Sequence, residues 1–275
     1  MQLRIEQIWY HSRGVLLPTT AVILLGLLWE GSVRYFSIPV YLLPAPSVIW
    51  IDFISKADLV FGHTLATVST IMGGFVLSLV ISLPLAMMIA SSTFVANTMY
   101  PLLVLTQSIP KVALAPILVV ALGAGEMPRV IVTFLVAFFP LVTSLATGLL
   151  AVPKDLIELS QSYKGTWWQQ MWLIRLPWSI PFLFNGLKLA ITFAVVGATV
   201  GEFVAADKGL GYQIMAATSF FNTPVAFGAL VILSLFLIAG FFFNDFLALT
   251  LSLFGILESL VFAFGYVYLR KSLIK

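Results

Sequence analysis

Long apolar stretches separated by short polar breaks run along nearly the whole chain. Ile71–Ala90 and Val130–Val152 carry no charged residue. At a rise of about 1.5 Å per residue, about 20 such residues cross a hydrocarbon core of about 30 Å. The pattern predicts an all-α polytopic membrane protein with about six core transmembrane helices. The spans fall at about Val15–Tyr35, Thr64–Ala90 and Tyr100–Leu122, then from just after Arg129 to Leu150, then Pro181–Phe203, with a sixth beginning near Pro224. The alternating apolar and polar strands of a membrane β-barrel are absent.

The breaks have their own patterns. Ile38–Ser47 holds three prolines in ten residues and reads as an extended loop. A polar connector with Asp52, Lys56 and Asp58 follows it. Gly123–Arg129 reads as a turn and Ala205–Tyr212 as a loop. Residues 1–14 form a short amphipathic segment with Trp9 and Tyr10 suited to the membrane interface. Residues 15–269 form the membrane domain, and residues 270–275 a basic tail. Within that domain Phe246–Leu269 is a further apolar run, broken only by Glu258. We expect six core spans with a long or bent sixth helix; the alternative is an extra C-terminal helix. Arg4 and Arg13 precede an apolar run, but no small-x-small cleavage site follows Leu28, so the first span is expected to stay on the chain.

The polar break at residues 153–177, between the fourth and fifth spans, is the most informative. Asp155 and Glu158 sit in the first turn of a new helix, where the dipole favours carboxylates. Lys164 falls in its last turn, with Gly165 expected at C′. Leu156, Leu159 and Tyr163 make one apolar face over about 11 residues, or about 16 Å. Thr166 and Gln169 have capping-box spacing, so a second helix starts at once. This stretch is either an interfacial joint between two spans or a docking helix for a soluble partner.

Charge orients the chain. Of 14 Lys and Arg, 8 (Arg4, Arg13, Lys154, Lys164, Arg175, Arg270, Lys271, Lys275) lie on the side of the N-terminus and 4 (Arg34, Lys56, Arg129, Lys208) on the other. The positive-inside rule therefore predicts a cytoplasmic N-terminus and a cytoplasmic break at 153–177. Hydrophobic residues make up 61% of the chain and charged ones 9%, far from an ordinary soluble domain. The net charge of +3 is thus a matter of topology, and no nucleic-acid partner is expected. With no cysteine, disulfides and thiolate metal sites are excluded. His11 and His63 show no ligand spacing and read as interfacial or packed. No GxxxxGK[ST] phosphate loop occurs, so the chain does not bind ATP by that route.

Several motifs resemble a known family. Glu158-Leu159-Ser160, Gly165 and Ile174-Arg175-Leu176-Pro177 resemble the cytoplasmic motif of permease subunits in bacterial ABC importers. That motif reads Glu-Ala-Ala, three residues, Gly, nine residues, Ile-x-Leu-Pro. Its glycine position holds Lys164 here, and the glycine comes one residue later. "LPAPS" (Leu43–Ser47), "IPKVALAP" (Ile109–Pro116), "GLKLA" (Gly186–Ala190), "GEFVAADKGLGY" (Gly201–Tyr212) and "NTP" (Asn222–Pro224) look like the nitrate/sulfonate/taurine-type binding-protein-dependent permeases. The resemblance implies a non-catalytic permease subunit in the bacterial inner membrane, with a second permease copy as a homodimer, two ABC ATPase subunits and a substrate-binding protein. It implies no cofactor in this chain; ATP and Mg would sit on the ATPases. Glu158, Leu159, Ser160, Tyr163, Lys164, Gly165, Leu176 and Pro177 would couple to the ATPase. The family's cargo includes small anions (nitrate, sulfonates, taurine, bicarbonate), while similar permeases carry vitamin precursors. "IPKVALAP" and "GEFVAADKGLGY" look slightly more like the latter. The rival reading, an ion-coupled secondary transporter, would not need the coupling stretch.

Some residues stand out as path candidates. Lys111 falls inside the third span, beside Pro110, Gln107 and Ser108. An ionisable group at that depth faces a bundle interior, a wet cavity or a partner. It either snorkels or pairs with a carboxylate, or it lines the path. Thr143 and Asn185 are further path candidates. Glu202 and Asp207 mark the outer mouth, as a gate or a binding-protein contact. Thr67, Thr70, Gly74 and Ser78 share one face of the second span, which fits close helix packing first and a lightly polar path second.

Overall fold

The structure is a computed structural model that describes residues 2–240 and 242. Its first helix, α1, runs through Gln2–Tyr35 and passes Pro18 without ending. The amphipathic start and the first span are therefore one helix, with no break at residue 14. Next comes α2, Pro46–Ser55, with a proline in its first turn, where no amide donor is required. The expected connector is thus itself helical, and Lys56 and Asp52 pair at 2.6 Å on its last turn. The second span, α3, covers Ala57–Ser91 and begins about two turns earlier than hydropathy placed it.

The third span is not one helix. It divides into α4, Thr93–Gln107, and α5, Leu114–Leu122, joined through a short 3-10 turn at Lys111–Ala113. The two halves meet at a bend of 67°. Pro110 supplies no amide to the preceding turn, and the helix breaks before it, whereas Pro18 and Pro84 are carried inside unbroken helices. The fourth span, α6, is Glu126–Leu150. After it come α7, Lys154–Ser162, and α8, Trp167–Gln170. A π-turn at Met171–Arg175 leads into α9, Leu176–Ala205. The expected loop at 205–212 gives way at Leu210 to α10, Leu210–Ser219. Finally α11 spans Thr223–Gly240. Five helices, or six spans with the bent pair, are long and apolar enough to cross a membrane among the described residues. The apolar run at 246–269 and the basic tail lie outside the described residues.

The core is built around α6, which packs against α3 and α9, with α11 completing one side. Small residues set how closely these helices approach. Thr133 of α6 is fully buried between Gly74 of α3 and Gly197 of α9, and a Cβ on either glycine would collide with it. Ser78 donates to the carbonyls of Gly74 (2.7 Å) and Phe134 (3.2 Å), which satisfies its hydroxyl away from water. Thr67, Thr70 and Ser78 are all buried, so this face packs helices together. By contrast Leu16–Tyr35 of α1 is almost wholly exposed, as a lipid-facing segment is.

Candidate functional site

Three places hold chemistry: the hairpin at α7–α8, the bend between α4 and α5, and the far end where α10 meets the core.

In the hairpin, α7 leaves Pro153 and buries none of its residues. Leu156, Leu159 and Tyr163 are exposed along it, Tyr163 to 82%. Helix α7 ends one residue earlier than expected, with Tyr163 as C-cap. Lys164, not Gly165, takes the left-handed C′ position, at φ +58°. The Lys164 amide donates to Gln161 O and the Gly165 amide to Ser160 O, both at 2.8 Å. This pair is a Schellman closure. The motif's glycine position therefore coincides with the left-handed residue, here a lysine. Gly165 is required for a different reason, since a Cβ there would collide with Ser160 Oγ.

The second helix starts as its spacing predicts. Thr166 Oγ1 accepts from the Gln169 amide at 3.3 Å, and Gln169 Oε1 accepts from the Thr166 amide at 2.8 Å. Arg175 then reaches back, donating to Leu149 O at 3.0 Å. It satisfies a terminal carbonyl of α6 and fixes the base of the hairpin to the fourth span. Pro177 is exposed, while Leu176 packs toward the core. Of the eight expected coupling residues, Leu176 thus faces inward.

At the bend, Gln107 and Ser108 are exposed and Lys111 is half-buried. Lys111 Nζ lies 4.1 Å from the centroid of the Phe139 ring. Among the described residues its partner is thus an aromatic face of α6, not a carboxylate. One turn further along α6, Thr143 Oγ1 donates to Phe139 O at 2.8 Å. Lys111 and Phe139 thus tie the bend to α6, and Thr143 lies one turn further along that helix. Asn185 is exposed on α9, and no recorded contact joins it to that group.

The far end holds the most connected polar cluster. Glu202 of α9 is 1% exposed, so it does not form an open rim; Asp207 is exposed. Four successive residues of the chain entering α10 are gripped by side chains of three helices. Arg129 of α6 donates to Lys208 O at 2.9 Å. His63 Nδ1 of α3 accepts from the Gly209 amide at 3.1 Å. Thr67 Oγ1 accepts from the Leu210 amide at 2.7 Å and donates to Glu202 Oε2 at 3.0 Å. Glu202 Oε2 accepts from the Gly211 amide at 2.8 Å. No side chain of its own caps α10, so the carboxylate from α9 does that work. Gly209 and Gly211 lie so close to Glu202 that a Cβ on either would overlap it. Sequence reasoning missed His63, Thr67 and Arg129 here. The available signal was the glycine pair that follows an acidic residue in "GEFVAADKGLGY".

Comparisons with known proteins bear on the family and the fold. Residues 82–253 match the sequence profile of a family described as "Binding-protein-dependent transport system inner membrane component". A riboflavin transport system permease protein of Chloroflexus aurantiacus is 35% identical, over 82% of this chain and 86% of its own. A formylaminopyrimidine transport permease protein of Halalkalibacterium halodurans is 37% identical, over 84% and 92% respectively. Among solved structures, an inward-facing conformation of the MetNI methionine ABC transporter superposes with a TM-score of 0.64 at 20% identity. That match covers 71% of this chain and 97% of the other, and it bears on the fold alone.

Proposed function

Because the chain belongs to the family of binding-protein-dependent transport system inner membrane components, we propose that α7 and the Lys164–Gly165 turn are the handle by which a separate ATPase drives it. The chain is a multi-pass inner-membrane permease subunit of an ABC importer. The observation that carries the proposal is α7 itself: a nine-residue helix with no buried residue, presenting Leu156, Leu159 and Tyr163 to the outside. Apolar side chains on a charged surface helix fit a partner's groove. Glu158 and Lys164 flank the stripe, and Arg175 anchors its base to α6, so a push on α7 reaches the core.

In this reading the N-terminus and α7 are cytoplasmic, and α2 and α10 face outward. Two ATPase subunits dock inside, carrying ATP and Mg; a second copy of this permease completes the path, and a binding protein delivers cargo from outside. The path runs past Gln107, Ser108, Lys111 and Thr143, with Asn185 on its wall. The cargo is a heterocyclic vitamin or vitamin precursor, in line with the 35% and 37% identity to permeases of that kind. A small anion is the competing cargo, since Lys111 offers it a cation. Purifying the partner binding protein with its endogenous ligand tests this. A bound heterocycle supports the reading, and a sulfonate or nitrate overturns it. Copurification of an ATPase with the permease tests the handle.

A further inference from the structure

Polar groups beneath the first turns of α10 are partly satisfied and partly stranded. At its start, residues 208–211 are held by Arg129, His63, Thr67 and Glu202. Alongside them, Glu202 Oε1 and the side-chain nitrogen and oxygen of Gln213 are buried with no hydrogen-bond partner among the described residues. Gln213 is 4% exposed and sits on the face of α10 that also buries Leu210, Ile214 and Ala217. Stranded amide and carboxylate atoms destabilise the packed arrangement, and water would relieve them. Both ends of α10 leave the helix through left-handed backbone: Gly209 at φ +120° and Phe221 at φ +55°. The Asn222 amide closes the second end on Ala217 O at 2.8 Å. The helix is thus a short rigid unit between two turns, latched at one end and under-satisfied beneath.

We propose that α10 is a lid over the outer ends of α3 and α9, latched by the Glu202 carboxylate, and that Gln213 meets water when the lid lifts. Glu202 acts as a positioning residue: it touches no cargo and sets where α10 lies. Latch bonds and stranded polar atoms oppose one another, so the stranded atoms lower the cost of lifting α10. This proposal rests on the outward placement of α10 given above.

The chain has no cysteine, so single-cysteine reporters read the lid directly. The assay exposes intact cells expressing the full chain to a membrane-impermeant maleimide. Gln213→Cys reports the covered face, and Met215→Cys, at a position 46% exposed on the same helix, is the control. Met215→Cys should label quickly and Gln213→Cys slowly. Adding Glu202→Gln or Gly209→Ala should speed labelling at 213 by about tenfold or more, the factor expected for losing one charge-assisted hydrogen bond. Labelling at 215 should not change, and Glu202→Asp should restore part of the protection. Should Gln213→Cys fail to insert, Ala217→Cys, 7% exposed on the same face, replaces it. Labelling at 213 that ignores the Glu202 and Gly209 changes overturns the lid while leaving the outward placement intact. A Met215→Cys that labels only in inverted vesicles overturns the outward placement, and the lid with it.

Discussion

The Gly165 amide donates to Ser160 O at 2.8 Å, across a turn that Lys164 enters with φ +58°. The two residues on either side of that turn are under different constraints. Lys164 pays a conformational penalty that glycine would not, whereas Gly165 is held by contact with Ser160. Left-handed backbone at a non-glycine residue costs about 1–2 kcal/mol. Lys164→Gly should therefore raise the thermal stability of the hairpin, offset in part by the freedom glycine gains in the unfolded chain. Gly165→Ala should lower it and displace Ser160. Thermal unfolding of the purified permease, with proteolysis at residues 153–177 as a local readout, separates the two. Equal effects from both changes would contradict this division of roles.

Reversing the charge on α7 should uncouple transport without unfolding the protein. Glu158 is exposed on a helix that buries nothing, and surface changes of that kind usually shift stability by about 0.5 kcal/mol or less. Glu158→Lys should insert normally and lose its ATPase in pull-down. Retention of full cargo-stimulated ATP hydrolysis would remove Glu158 from the docking surface.

The crossing at Thr133 should tolerate little added volume. A Cβ at Gly197 would lie 2.8 Å from the Thr133 α-carbon, which is backbone and cannot turn aside. Overpacking of this kind typically costs about 1–3 kcal/mol. Gly197→Leu should lower the detergent melting temperature sharply, and Gly228→Leu, where a Cβ would just reach Ile49 at 4.0 Å, should not. Similar melting temperatures for both variants would refute the close approach of α6 and α9.

How much of this was legible beforehand depends on whether the signal was local. Hydropathy located the spans, because each apolar run reports its own burial in lipid. The capping box at Thr166 and Gln169 was readable from spacing, since both partners lie within one turn. The third span is legible as a span with a weak point at Pro110, but its 67° bend is not, because composition says nothing of direction after a break. Apart from Glu202 and Gly211, which lie nine positions apart, the α10 clamp joins residues about 80 to 150 positions apart, such as His63 and Gly209; no short window along the chain contains both. The turn at Lys164 was displaced by one residue because glycine is the usual left-handed choice, and here a steric contact had already claimed it.

The last prediction concerns Lys111. Its ammonium rests on the Phe139 ring, 4.1 Å from the centroid, at a bend where Gln107 and Ser108 are exposed. A cation–π contact of this kind is worth about 0.5–2 kcal/mol, little enough for a passing ligand to displace. A cation held that loosely within a membrane span is poised to donate hydrogen bonds to cargo. Lys111→Met should thus abolish most uptake while leaving assembly, basal ATP hydrolysis and thermal stability nearly unchanged. Lys111→Arg should keep part of the uptake, because the charge and the stacking on Phe139 survive while the geometry of donation changes. Phe139→Leu should act differently: it removes the ring that parks the ammonium and leaves a gap in the α6 core, so it should lower stability along with uptake. If Lys111 were only structural, Lys111→Met and Phe139→Leu would both move the melting temperature and neither would change uptake per folded complex. Proteoliposome uptake and melting temperature, measured on all three variants, distinguish these outcomes. Wild-type uptake by Lys111→Met would take Lys111 out of the path.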